Sequence, residues 1–122
     1  MRVGSWAALA ALAAVAAYAA TTPKGKLTIA QLRALAELVG FPDPDVAAAV
    51  AMAESGGNPG AVGDGGTSFG LWQINVPSHP EYSSGALLDP GYNARAARAI
   101  ANGGASWNLW TTYRSGAYRA YL

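Results

Sequence analysis

The sequence predicts a predominantly helical α+β domain with a short Gly-rich loop or β-hairpin in its middle, preceded by an apolar N-terminal helix. Three observations predict it. Cap residues followed by apolar residues at helical spacing open helices at Thr28, Asp43 and Asp89. Seven of the fifteen residues from Gly56 to Gly70 are Gly, which breaks the helical pattern there. Residues 3–23 carry no charge at all.

That N-terminal segment inflates the composition. Hydrophobic residues make up 52% of the 122, but ten of the fourteen from Ala7 to Ala20 are Ala. As a helix, about twenty residues span roughly the 30 Å of a bilayer core. Trp6 and Tyr18 stand near its two ends and Lys24 and Lys26 follow it, which suits a membrane anchor. A basic start at Met1 and Arg2 and small residues at Ala17 and Ala19 suit a secretory signal, the second reading after the anchor. The expected organisation is thus an apolar segment at 1–23, a hinge at 24–27 and one domain at 28–122, held at a membrane or exported to the cell envelope.

The elements of the domain follow in order. Thr28 with Gln31 has capping-box spacing, Leu32, Leu35, Ala36 and Val39 form the apolar stripe, and Gly40 closes the helix. Asp43-Pro44 caps and starts a second helix through Val46, Ala49, Val50 and Ala53, which stops at Ser55-Gly56-Gly57. After the Gly-rich connection, Gly70 to Ile74 is a short apolar element. Asp89-Pro90 repeats the cap device for a helix ended by Gly103-Gly104, and Trp107, Trp110 and Tyr113 fall on one face of a final helical stretch.

Several chemistries are excluded. With no Cys and one His there is no disulfide, thiolate nucleophile or multi-His metal site, and neither metal nor cofactor is expected. A net charge of +1 offers no basic excess for nucleic acid. His79 has no G-x-S-x-G elbow to serve, and no Gly-Lys-Ser/Thr phosphate loop occurs. The near-neutral sum conceals a sorting of charge, since all seven carboxylates lie between Glu37 and Asp89 while the last 33 residues carry four Arg and no acid. Packing the two regions together would line an acidic cleft with Arg behind it.

Among the seven acids, Asp43 and Asp89 are caps, Asp45 sits in a first helical turn, and Glu37 follows an exposed face. Glu54 differs. It lies beside the apolar stripe in the last turn of its helix, where the macrodipole disfavours an anion, so burial and dipole both push its pKa upward. A carboxylic acid that keeps its proton near neutral pH is what a general acid needs.

The run from Ala51 to Pro59, with Glu54-Ser55 at a helix end, followed by Gly70-Leu71-Trp72-Gln73-Ile74-Asn75, resembles the signature of soluble lytic transglycosylases in the lysozyme-like superfamily. Trp72 stands where that family more usually has Met. Asn93-Ala94-Arg95-Ala96-Ala97 resembles the family's Asn/Ala-rich helix, and Trp107 to Tyr121 resembles the ending of small phage and bacterial lysozyme-like domains.

The resemblance implies cleavage of the β-1,4 bond between N-acetylmuramic acid and N-acetylglucosamine in peptidoglycan, with Glu54 as general acid and then base. It assigns Ser55, Ser68, Trp72, Gln73, Asn93 and Tyr113 to substrate binding or cleft shaping: Gln73 to a sugar hydroxyl or acetamido group, Trp72 as a flat face for a sugar ring, and Tyr113 as the tyrosine approaching the catalytic Glu. Ser55 serves equally as a helix C-cap, and Trp72 equally as core. A hydrolytic lysozyme is the close rival and would use Asp64 as second carboxylate. A non-catalytic glycan-binding or structural component of a virion or envelope is the alternative of a different class. The partners implied are peptidoglycan strands, a membrane through residues 3–23, and virion or envelope-machine proteins.

Overall fold

The computed structural model describes residues 25–122. The anchor-or-signal reading of the N-terminal segment lies outside them. Among the described residues no helix is long and apolar enough to cross a membrane.

Helix α1 (Ile29–Val39) starts with the complete capping box: the Thr28 hydroxyl accepts from the Gln31 amide at 3.1 Å, and the Gln31 side chain accepts from the Thr28 amide at 2.9 Å. Leu32, Leu35 and Ala36 form its buried stripe, and Gly40, left-handed at φ 90°, ends it by donating to the carbonyls of Ala36 and Glu37. Helix α2 (Pro44–Ser55) has Asp43 as its cap, the carboxylate accepting from the Val46 amide at 3.2 Å. The sequence suggests one apolar stripe here, but the five consecutive residues Ala47 to Ala51 are all buried. A helix hydrophobic on every side is sheathed on every side, and its Ala side chains admit close neighbours. These are α1 on one flank and the C-terminal segment on another.

The Gly-rich connection folds as a three-stranded antiparallel sheet, and each strand has only two residues. Strand β1 (Val62–Gly63) pairs with β2 (Ser68–Phe69), and β2 pairs with β3 (Ile74–Asn75), so that Ser68 faces Gly63 on one side and Asn75 on the other. The apolar element expected at Gly70 to Ile74 is mostly the turn between β2 and β3. Gly70 at φ 80° and Gln73 at φ 49° make that turn.

A short 3-10 turn (Ala86–Leu88) leads into α3 (Pro90–Ile100), capped by Asp89 accepting from the Tyr92 amide at 2.8 Å, with Asn93, Ala94, Ala96 and Ala97 inward. The final helical stretch is shorter than its aromatic spacing suggests. Helix α4 (Thr111–Arg114) is a single turn and a 3-10 segment (Ala117–Tyr121) follows, broken from it by Gly116 at φ 82°. Trp107 lies ahead of the helix in a turn that Trp110 closes, its amide donating to the Trp107 carbonyl at 3.0 Å. Both indoles are nonetheless buried, with centroids 4.9 Å apart.

The core runs from α1 through α2 to an aromatic column. Phe41 stacks between Trp72 at 5.8 Å and Trp107 at 5.3 Å, and Trp107 meets Trp110 edge-on. Trp72 has no exposed surface, and its indole donates to the Ala47 carbonyl at 3.1 Å. Trp110 in turn donates to the Trp72 carbonyl at 2.9 Å. The C-terminal segment is thereby tied to the turn that precedes β3.

Candidate active site

A cleft of about 470 Å³ opens between the small sheet and the C-terminal segment. That is within the ~300–1,000 Å³ of ligand sites generally. Glu54 reaches it from the last turn of α2, Asp64, Ser68, Gln73 and Asn75 come from the sheet, and Trp110, Thr111 and Thr112 from the start of α4. Among the described residues its charged lining residues are Glu54 and Asp64, with neither Lys nor Arg.

The positions follow from local sequence. Gly56 at φ 64° stops α2 just beyond Glu54, leaving the carboxyl at the mouth of the cleft and partly buried. The Thr112 hydroxyl donates to Glu54 Oε2 at 2.7 Å. Burial raises the Glu54 pKa; the hydrogen bonds from the Thr112 hydroxyl and backbone pull it back, the Asp64 charge pushes it up, and the outcome is a raised value. Asp64, left-handed at φ 52°, stands in the turn between β1 and β2. Its carboxylate accepts from the Ser68 hydroxyl at 2.6 Å, and Ser68, fully buried, accepts from the Asn75 amide at 3.2 Å. Two carboxyls therefore share the cleft, one tied to the C-terminal segment and one to the sheet.

Four of the eight residues singled out in the sequence line the cleft: Glu54, Asp64, Ser68 and Gln73. Gln73 spends both amide protons on backbone, donating to Ala61 O at 3.0 Å and Gly70 O at 2.9 Å, so its side chain braces the sheet. The other four lie elsewhere. Ser55 donates to the Ala51 carbonyl at 2.9 Å and accepts from the Gly57 amide at 3.2 Å, which is the capping role. Trp72 packs its faces in the core, leaving none for a sugar. Asn93 is fully buried and makes three bonds, accepting from the Trp72 amide at 2.9 Å and donating to the carbonyls of Phe69 at 2.8 Å and Leu87 at 2.9 Å. It locks the sheet turn onto α3 and so shapes the cleft from behind. Tyr113 stacks on Tyr118 at 4.7 Å, while its neighbour Thr112 takes the contact with Glu54.

The sequence reading missed Thr112, Asn75, His79 and Leu109, which also line the cleft. Asn75 carried a signal, since it follows a buried Ile74 in an extended segment where successive side chains point to opposite faces. Leu109 is 67% exposed and carried none.

A small helical domain with a three-stranded sheet, its cleft holding a half-buried carboxylic acid at a helix end, has the make-up of a glycan-cleaving domain. The family model described as "Lysozyme like domain" matches residues 33–112, and the chain belongs to that family. The match covers Glu54, the sheet and Thr112, and with it comes the family's general character, cleavage of glycosidic bonds in peptidoglycan. No curated protein and no solved structure matches the chain.

Proposed function

We propose that the protein is a peptidoglycan lytic transglycosylase in which Glu54 is the general acid and base. The observation that supports this most is the Glu54 carboxyl itself, partly buried at the cleft, hydrogen-bonded to Thr112 and raised in pKa by its surroundings. Such a group is still protonated at pH values where an ordinary Glu is not. Glu54 gives its proton to the glycosidic oxygen as the bond from muramoyl C1 breaks. The resulting carboxylate then takes the proton of the muramoyl 6-hydroxyl as that oxygen closes on C1, leaving a 1,6-anhydro end. No water is consumed and the Glu54 proton is restored.

A second reading is favoured by one observation: Asp64 lies in the same cleft, its carboxylate held by the buried Ser68. In a hydrolase it would serve as nucleophile or activate water, the spacing of the carboxyl pair deciding which. Zymography of wild type beside Glu54→Gln tests the shared premise; clearing by wild type alone is expected, and equal clearing by both would remove Glu54 as the catalytic acid and with it both mechanisms. Mass spectrometry of the released fragments separates the chemistries. Anhydro-muramoyl ends, retained in Asp64→Asn, are the expected outcome; reducing ends that vanish in Asp64→Asn would establish the hydrolase. Residues 3–23 would hold the domain at the membrane or direct its export to the envelope.

A further inference from the structure

The family resemblance points to Tyr113 as the hydroxyl that approaches the catalytic acid, yet the side chain bonded to Glu54 is Thr112. The geometry points to Thr112 as the positioning residue of the acid, which holds the Glu54 carboxyl through Oε2 and so sets the orientation from which its proton is delivered. This rests on Glu54 being the general acid.

Three observations carry it. First, the bond is direct and of full-strength length for a hydroxyl donor, 2.7 Å between Thr112 Oγ1 and Glu54 Oε2. The Thr112 hydroxyl donates to the ionised carboxylate, and a second hydrogen bond from the Thr112 backbone joins it, so one residue fixes the orientation of the carboxyl in the cleft. Second, Thr112 is held rigidly. The turn from Trp107 fixes Trp110, the Trp110 indole is bonded to Trp72 O, and Thr112 follows two residues later in the one-turn helix α4. Third, the ring of Tyr113 is committed to Tyr118, stacked at 4.7 Å with planes 22° apart. The nearby groups that could compete for control of Glu54 are few. Asp64 acts on it from the sheet by charge alone, raising its pKa, and His79 lines the same cleft. Of these groups only Thr112 makes a hydrogen bond to the carboxyl.

The role has a signature distinct from packing. A hydrogen bond to an ionised carboxylate favours the ionised form, so removing it raises the Glu54 pKa further. For an enzyme whose acid must be protonated, the basic limb of the pH–rate profile reports the loss of that proton. In Thr112→Val, which keeps the shape and deletes the hydroxyl, kcat is expected to fall about tenfold or more, the equivalent of one lost hydrogen bond to a charged group. The basic limb is expected to move to higher pH. Thr112→Ser, which restores a donor, is expected to recover most of the rate and the wild-type limb. Titration of the Glu54 carboxyl by carbon NMR reads the same shift without turnover, so it serves even if the catalytic assignment of Glu54 fails.

Thermal melts identify a valine variant that has lost its fold, in which case Thr112→Ala, which deletes the hydroxyl without adding bulk, replaces it in both the pH–rate and the NMR readouts. A valine variant whose Glu54 titration and basic limb coincide with wild type overturns the inference. So does a serine variant as impaired as valine. Activity surviving in Glu54→Gln, by contrast, removes the catalytic assignment and leaves the Thr112 titration result standing.

Discussion

Burial of Glu54 couples the proton of this side chain to folding as well as to chemistry. In the unfolded chain the group titrates near its ordinary value of 4.5, and in the folded domain its pKa is raised, chiefly by desolvation. Between those two values the folded form binds more protons than the unfolded one, so stability falls as pH rises through that window. The contribution is fully present below the ordinary value and lost above the raised one. Glu54→Gln carries no charge to desolvate and escapes the loss. Urea unfolding of both proteins is therefore expected to show the glutamine variant gaining on wild type between pH 4 and pH 7; a difference constant across that range would mean the acid is not strained by its site. Glu54 was legible in the sequence because its position at a helix end beside apolar residues is local information. Thr112 was not. It stands 58 residues from Glu54, and nothing in the spacing of Trp107, Trp110 and Tyr113 reveals that α4 is one turn long and presents Thr112 to α2.

Caps and glycines define the elements, and their substitution separates local from global effects. Thr28→Ala removes half of one capping box on α1, an expected loss of about 1 kcal/mol in urea unfolding with the cleft undisturbed. The turn between β2 and β3 is less forgiving. Gly70 has φ 80°, and a Cβ there would lie 2.2 Å from Asn93 Nδ2 and 2.3 Å from the Leu87 carbonyl. Gly70→Ala is expected to cost about 3 kcal/mol or more, combining strained backbone with the break-up of the Asn93 network. Asn93→Ala should cost a similar amount by the same assay, because three buried backbone groups lose their partner. If both variants unfold at the wild-type urea midpoint, the sheet turn is not locked as described. The helices were readable from cap-plus-Pro and capping-box patterns, each of which acts within one turn. The strands were not, since two residues are too few for a period-2 pattern to emerge. Asn93 was noticed for substrate binding or cleft shaping, but how it acts was hidden: its bonds run to residues 69, 72 and 87, contacts that only the folded chain brings together.

At the scale of the molecule, the cleft exists because segments distant in sequence are tied across the aromatic column. The sheet wall belongs to residues 64–79 and the opposite wall to residues 109–112, and the hydrogen bond from the Trp110 indole to Trp72 O spans them. Trp110 also lines the cleft while 6% exposed, so it is both wall and tether. Trp110→Phe keeps an aromatic ring against Trp107 but deletes the only donor the ring carries. A buried carbonyl left without its partner costs about 1–3 kcal/mol, which this domain must absorb through packing alone, as it has no Cys and hence no disulfide. The loss should also loosen the register of α4, which begins one residue later and carries Thr112. Measured well below the melting transition, turnover is therefore expected to fall by more than the folded fraction does, with the Glu54 titration moving in the same direction as in Thr112→Val. A variant that loses stability but keeps wild-type turnover and an unmoved Glu54 titration would show that the tether holds the fold without setting the acid. The seven acids and the Arg-bearing tail are distributed accordingly: among the described residues the one ion pair given by the side chains is the exposed Arg33–Asp45 contact at 2.7 Å, worth little at the surface. Cohesion between the two walls thus falls to the aromatic column and the Trp110 indole hydrogen bond, and activity is expected to be far more sensitive to Trp110 than to salt.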